Sequence, residues 1–175
     1  MKFFTYKLWS DFGSPDKACR EAAELQWEKN CKAYLSYLRK IEPFVQKDTM
    51  RAIYDISNGD VDMHDLRLIG FEFCSTELEK SLNNEQSPLY YERSGSLKLS
   101  DGTSSVELVM LNIKKVNFDI TYGEETNAFD VRWGYCEFSY SSPYVTMAVL
   151  FDNGHVCQFS FSSLIIKKTG DGSVS

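Results

Sequence analysis

The sequence predicts an α+β fold in which a long amphipathic helix and a short helix pack on a mostly antiparallel β-sheet. Between about residues 15 and 42, apolar residues recur every three or four positions, which is the period of one helix face. After residue 65 they alternate with polar residues, as they do along a strand. Helices that come first and strands that follow are typical of α+β proteins.

The long helix is predicted over about residues 15–42. Ser14 suits the N-cap, Pro15 suits the first helical position, and Pro43 ends the helix. The residues before it form either a short helix or an extended arm. The face predicted to point inward consists of Cys19, Ala23, Trp27, Cys31, Tyr34, Leu38 and Ile41.

A shorter helix is predicted over residues 49–57. Asp48 is its expected N-cap, and Gly59 suits the left-handed conformation that often follows a helix. Strands are then predicted at residues 66–73, 97–99, 106–113, 116–122, 129–135, 144–151, 156–161 and 164–166.

The connections between the strands are short, and this predicts antiparallel pairing. Asp101-Gly102 and Asn153-Gly154 are typical hairpin turns, because glycine accepts a positive φ. Residues 144–151 are nearly all apolar, so they are expected to form a central strand. The stretch 75–95 is compatible with either helix or loop. We expect one compact unit with a helical region (1–65), a β region (66–168) and a frayed tail (169–175).

Composition limits the possible functions. The chain of 175 residues is 43% hydrophobic, so it can form a core, yet it has no apolar run of membrane-spanning length. Its first residues do not resemble a signal peptide, which predicts a cytoplasmic protein. Residues 1–65 carry 10 basic and 11 acidic side chains, and residues 66–175 carry 9 and 14. An acidic chain without a basic stripe is not expected to bind nucleic acid, whereas a basic protein partner is compatible with this charge.

Few residues are candidates for catalysis or for binding a metal or a cofactor. The five cysteines lack the spacing of a zinc site, and no nucleotide, phosphate, esterase or zinc-protease motif occurs, so neither a metal nor a cofactor is predicted. His64 and Asp65 are the only catalytic candidates, as a histidine oriented by a carboxylate that would work with a distant cysteine. The alternative is a structural turn pair in which Asp65 binds local backbone amides.

Aromatic residues crowd one strand-turn-strand region. The candidates for a partner-binding or stacking surface are Trp133, Tyr135, Tyr140 and Tyr144. The alternative is that these side chains belong to the core and to helix packing.

Several short pieces of the sequence resemble an uncharacterised bacterial family, domain of unknown function 4085. The pieces are residues 1–5 with Trp9, Met63-His64-Asp65, and residues 133–137, 150–154 and 159–166. The resemblance implies a bacterial cytoplasmic protein that is helical first and β later. It implies no established activity and therefore transfers no catalytic residue.

The leading hypothesis is a non-enzymatic bacterial protein that binds another protein, with an immunity-like role as one concrete form. The first alternative is an enzyme that uses His64 and Asp65 with a cysteine or a carboxylate. The second is a homo-oligomeric structural module joined through an exposed strand edge.

Overall fold

The computed structural model describes residues 1–63, 66–78, 90–119 and 131–169, and it confirms the α+β fold. The helices are α1 (Tyr6–Phe12), α2 (Lys17–Ile41) and α3 (Lys47–Ser57), with a 3-10 turn at Glu42–Phe44 between α2 and α3. The strands are β1 (Arg67–Leu78), β2 (Tyr90–Ser100), β3 (Ser105–Leu111), β4 (Lys115–Asp119), β5 (Trp133–Ser141), β6 (Tyr144–Phe151), β7 (Val156–Phe161) and β8 (Ser163–Thr169).

The long helix α2 has the predicted inward face but a different cap. The side chain of Asp16 accepts a hydrogen bond from the Ala18 N–H, so Asp16 is the N-cap and the prediction of Ser14 was wrong. Asp16 takes this role because its carboxylate lies two residues before a free N–H of the first turn. Every residue of the predicted stripe is buried or half-buried, including Trp27.

The shorter helix α3 begins earlier than predicted. Gln46 occupies the N-cap position without a capping side-chain bond, and Asp48 lies inside the first turn. There its negative charge interacts favourably with the positive end of the helix dipole, although its side chain does not cap the helix. Gly59 has the expected positive φ of 80° just beyond the helix.

The strands form two four-stranded antiparallel sheets, with orders β1-β2-β3-β8 and β4-β7-β6-β5. The ladder that pairs β3 with β8 continues, through a bend, as the ladder that pairs β4 with β7. On the other side, backbone bonds between Leu66 and Trp133 and between Leu68 and Val131 join the start of β1 to the start of β5. The two sheets therefore enclose a common interior.

Strand β6 lies inside its sheet, as its apolar sequence predicts. Residues 75–78 and 90–95 of the ambiguous stretch are strand, while residues 79–89 lie outside the described part of the chain. Residues 164–166 belong to β8, which pairs with β3 and so belongs to the other sheet from β7. Gly102 and Gly154 adopt the positive φ expected of their hairpin turns.

Helices α2 and α3 cover the outer edges of β5 and β8. The hydroxyls of Tyr34 and Tyr37 on α2 accept hydrogen bonds from the backbone N–H groups of Phe138 and Tyr140. On α3, the buried hydroxyl of Thr49 accepts one from the Leu164 N–H. Uncovered strand edges invite unwanted pairing, and these hydroxyls satisfy the edge amides instead.

Side chains from the helical and the β regions share one hydrophobic core. Its largest fully buried members are Leu38 and Ile53 from the helices together with Phe138, Phe151, Phe159, Phe161, Leu97, Leu99, Leu108, Met110, Met147 and Leu150 from the strands. Among the described residues, no helix combines the length and the apolar character that a bilayer crossing needs.

Candidate functional site

A cavity of about 250 Å³ lies between α2, the end of α3 with the segment that follows it, and the start of β5. Aromatic side chains form much of its wall. They are Phe4, Trp27, Tyr34, Trp133 and Tyr135. The remaining lining includes the polar or thiol side chains of Ser57, Asp62, Cys31 and Cys136.

The aromatic walls are held by ring contacts. The ring of Trp27 lies 4.3 Å from that of Tyr135 and 4.5 Å from that of Phe4, measured between centroids. Phe4 also meets Tyr34 edge-on at 5.3 Å. Tilted and edge-on rings at these distances attract one another, so the wall is defined by its own packing.

A β-bulge places Trp133 and Tyr135 on opposite faces of β5, and both still line the cavity at this end of the strand. Gly134 is the extra residue, because Trp133 pairs with Phe151 and Tyr135 pairs with Leu150. A Cβ at Gly134 would lie 2.8 Å from the carbonyl oxygen of Leu150, so the close approach of the two strands needs glycine here.

The polar side of the cavity contains two hydroxyls. The Oγ atom of Ser57 is buried and makes no hydrogen bond of regular geometry. It lies beside the hydroxyl of Tyr34 without meeting hydrogen-bond geometry. Burial raises the pKa of Tyr34, so this phenol keeps its proton throughout the physiological range. Because Tyr34 accepts from the Phe138 N–H, its own proton is a donor for a further partner.

The two thiols of the cavity are poor nucleophiles. Burial raises the pKa of Cys31, and burial raises the pKa of Cys136 further above its usual range. Both sulfurs are therefore protonated near neutral pH, whereas a nucleophilic cysteine needs a lowered pKa.

The segment Met1–Thr5 contributes Phe4 to the cavity and is held by Glu137. The Glu137 carboxylate, 7% exposed, accepts hydrogen bonds from the N–H groups of Lys2, Phe3 and Phe4 at 2.8 to 3.3 Å. In addition, the side-chain amide of Asn30 on α2 donates to the carbonyl oxygen of Phe3 at 2.6 Å. These bonds offset the cost of burying the carboxylate.

The four predicted partner-binding aromatics do not form one surface. Trp133 is 5% exposed, belongs to the core and lines the cavity, so its role in binding stays a prediction. Tyr135 is half-buried in the cavity wall. Tyr140 stacks on Phe44 at 6.0 Å, and Tyr144 lies under the ammonium group of Lys114 at 4.8 Å. The catalytic candidates His64 and Asp65 lie outside the described residues.

A second apolar feature lies where β1 and β4 approach each other. Phe73 and Phe118 are 51% and 40% exposed, and both rings contact Phe71 at 5.3 and 5.1 Å. Phe71 in turn packs on the buried Phe159. We call Phe71, Phe73 and Phe118 the phenylalanine cluster.

Within the described ranges, no three His, Cys, Asp or Glu side chains are grouped so that they could hold a metal ion. Two residues of the cavity region were missed by sequence reasoning. Glu137 gave a usable signal, because it is a lone charge between the apolar neighbours Cys136 and Phe138 on a strand. Ser57 gave none, since a serine at a helix end is ordinary.

Comparison of the chain with family models, curated proteins and solved structures finds no match. The resemblance to domain of unknown function 4085 therefore stays a prediction, and the properties of the site rest on its geometry.

Proposed function

We propose that this protein is a non-enzymatic binding protein that holds a small aromatic molecule in the cavity between α2, α3 and β5. The observation that carries the proposal is the pair of neighbouring hydroxyls of Ser57 and Tyr34 at the wall of an aromatic cavity, where the buried Oγ of Ser57 makes no hydrogen bond of regular geometry. Buried polar atoms are nearly always satisfied, and a ligand would supply the missing bond.

The size of the cavity sets the size of the ligand. A volume of about 250 Å³ exceeds the roughly 150 Å³ that accommodates one benzene ring in an engineered protein cavity. It falls below the range of about 300–1,000 Å³ that is typical of sites for drug-sized molecules. A one-ring or two-ring compound therefore fits best.

The lining sets the chemistry of the ligand. Rings such as Trp27 and Tyr135 favour a flat, apolar molecule that they can stack against. The adjacent hydroxyls of Ser57 and Tyr34 favour one uncharged polar group, which can both donate and accept. The raised pKa values of Cys31 and Cys136 favour binding over nucleophilic catalysis at this site.

Titration calorimetry with indole, phenol and cyclohexanol tests the proposal. We expect indole and phenol to bind with a Kd on the order of 10–1,000 μM, because ligands of this size gain limited energy per atom. Cyclohexanol matches phenol in size but lacks its flat ring, and we expect it to bind more weakly. Absence of binding by both aromatic probes at millimolar concentration would contradict the proposal.

A protein partner is the second candidate, and the phenylalanine cluster favours it. Exposed aromatic residues that contact one another are more typical of interaction surfaces than isolated ones, and the chain is acidic, which favours a basic partner. An immunity-like role is one form of this proposal, and the family resemblance implies a bacterial cytoplasm as its setting. Self-association is another outcome that the same surface allows.

The product of a neighbouring gene is the partner to test first. Replacement of Phe73 and Phe118 by serine is expected to weaken its binding at least tenfold, since exposed aromatics at an interface often contribute about 1.4 kcal/mol or more. Leu25→Ser is the matched control, because Leu25 is 70% exposed on α2. Sedimentation of the wild-type protein separates self-association from binding to a different protein. Equal affinities for the double variant and the control would contradict this candidate.

A further inference from the structure

We infer that the segment Met1–Thr5 is a gate on one side of the cavity and that Glu137 is the latch that holds this side covered. The inference rests on the proposed function in one respect, namely that the cavity has a ligand to admit. The inference predicts that Phe4 leaves its position beside the cavity while the rest of the protein stays folded, and this movement can be measured without any ligand.

Phe4 is the part of the segment that covers one side of the cavity, which is open to solvent beside Gly59 and Asp62. It is 5% exposed, lines the cavity, and contacts the rings of Trp27, Tyr34 and Tyr135. Removal of Phe4 from this position would therefore expose one side of the cavity and the rings that it covers.

The hold on the segment is concentrated in few side chains. Residues 1–5 belong to no helix or strand. The backbone groups of residues 2–4 bind Glu137 and Asn30, whereas the Thr5 carbonyl accepts a hydrogen bond from the Trp9 N–H of α1. Both oxygens of the Glu137 carboxylate take part, so one side chain accepts bonds from three successive N–H groups. Loss of this one carboxylate removes all of those bonds together.

The opposite walls of the cavity have separate supports. Tyr34 ties α2 to β5 through the Phe138 N–H, and Tyr37 does so through the Tyr140 N–H. Neither bond involves the segment 1–5. The rings of Phe3 and Phe4 pack on Tyr34, but both bonds between α2 and β5 remain when the segment leaves, so we expect the opening to be local rather than global.

Modification of cysteines by N-ethylmaleimide, resolved by peptide mass spectrometry, tests the inference. Cys31 reports on the cavity that it lines. Cys157 is fully buried in the core and reports on global unfolding. Cys31 is preferred to Cys136, because the charge of Glu137 is one cause of the raised pKa of Cys136 but not of that of Cys31.

We expect Glu137→Gln to raise the modification rate of Cys31 about tenfold, since bonds to a charged acceptor are replaced by weaker or mismatched ones. The rate at Cys157 is expected to stay unchanged. Glu72→Gln makes the same chemical change on β1, where Glu72 pairs with Lys98, and should leave Cys31 at its wild-type rate. Phe4→Ala keeps the latch but removes the side chain that covers this side of the cavity, and should also expose Cys31 further than in the wild type, where it is half-buried.

An unchanged rate at Cys31 in both Glu137→Gln and Phe4→Ala would overturn the inference. A parallel rise at Cys31 and Cys157 would overturn it too, because the variant would then be unfolding globally. The binding of indole separates the two proposals. If Cys31 responds as expected but indole does not bind, the gate stands and the proposed ligand is wrong; if indole binds while Cys31 does not respond, the gate is wrong.

Discussion

The hydroxyl of Tyr34 accepts a hydrogen bond of 2.7 Å from the backbone N–H of Phe138, and both residues are buried. The bond joins the middle of α2 to the outer edge of β5. One turn further along the helix, Tyr37 repeats the contact with the Tyr140 N–H at 2.9 Å. Two tyrosines thus take the place of a neighbouring strand, and they set the position of α2 along the sheet.

Tyr34→Phe is therefore expected to lower the free energy of unfolding by about 1–3 kcal/mol, because it leaves the buried N–H of Phe138 without a partner. Tyr37→Phe should cost less, since Tyr37 and Tyr140 are only half-buried. Urea denaturation followed by circular dichroism measures both. Tyr54→Phe is the control, because its hydroxyl binds Glu42 at an exposed position. Equal losses in all three variants would contradict the special role of the buried amide.

The inward face of α2 gives a second prediction. Leu38 is fully buried and Leu25 is 70% exposed on the same helix. Leu38→Ala should cost about 2–5 kcal/mol, because it leaves a cavity in the core. Leu25→Ala should stay within about 0.5 kcal/mol of the wild type. Thermal or urea unfolding of this matched pair measures the difference, and similar costs would show that the helix face is assigned incorrectly.

The periodic parts of the fold were predictable, because burial imposes a period on the sequence. The stripe from Cys19 to Ile41 predicted α2, and the apolar run from Tyr144 to Phe151 predicted an inner strand. The division into two sheets was not predictable in this way. The bend between β3 and β4 depends on pairing with β7 and β8, which are distant in sequence.

The site was harder to predict than the fold, because its residues come from distant parts of the chain. Phe4, Trp27, Ser57 and Tyr135 meet only after folding. The high density of aromatic residues between positions 133 and 144 pointed to the strand that contributes Trp133 and Tyr135 to the cavity. The alternation of side chains along β5, interrupted by the bulge at Gly134, then decided which of them are buried. Sequence alone does not specify where a bulge interrupts that alternation.

The turn between β2 and β3 gives a pH-dependent prediction. The Asp101 carboxylate accepts hydrogen bonds from the N–H groups of Ser104 and Thr103 and from the Thr103 hydroxyl, and these bonds lower its pKa below the ordinary value of 3.8. A lowered pKa in the folded state means that the ionised group stabilises the fold above pH 3.8 and that this stabilisation is lost as the pH falls below it.

Asp101→Asn keeps an acceptor oxygen but removes the charge, so it should lower the Tm at neutral pH. The difference in Tm between wild type and variant is expected to be constant above about pH 5 and to shrink as the pH falls below the ordinary aspartate pKa. Calorimetric scans across this range measure it. A difference that is independent of pH would show that turn geometry, rather than the charge, accounts for the loss.

Replacement of Ser57 by alanine is expected to raise the stability of the protein and to weaken its binding of a ligand. This pair of opposite effects gives the most specific prediction. The Oγ of Ser57 is buried without a hydrogen bond of regular geometry, which is an unfavourable state for a hydroxyl. Ser57→Ala removes that atom at the last residue of α3, where alanine also has the higher helix propensity. The variant is therefore expected to gain up to about 1 kcal/mol in free energy of unfolding. Ser36→Ala, at an exposed position of α2, is the control for propensity alone.

The same change should weaken the binding of phenol and indole, because it removes a hydrogen-bonding group from the cavity wall. We expect the Kd to rise about five- to tenfold, which corresponds to one neutral hydrogen bond of about 1–1.4 kcal/mol. Urea unfolding and titration calorimetry on the same preparations measure the two effects. Increased stability with weaker binding supports a hydroxyl kept for a ligand. Decreased stability would show that Ser57 has a structural role, and unchanged affinity would show that the probes do not use its hydroxyl.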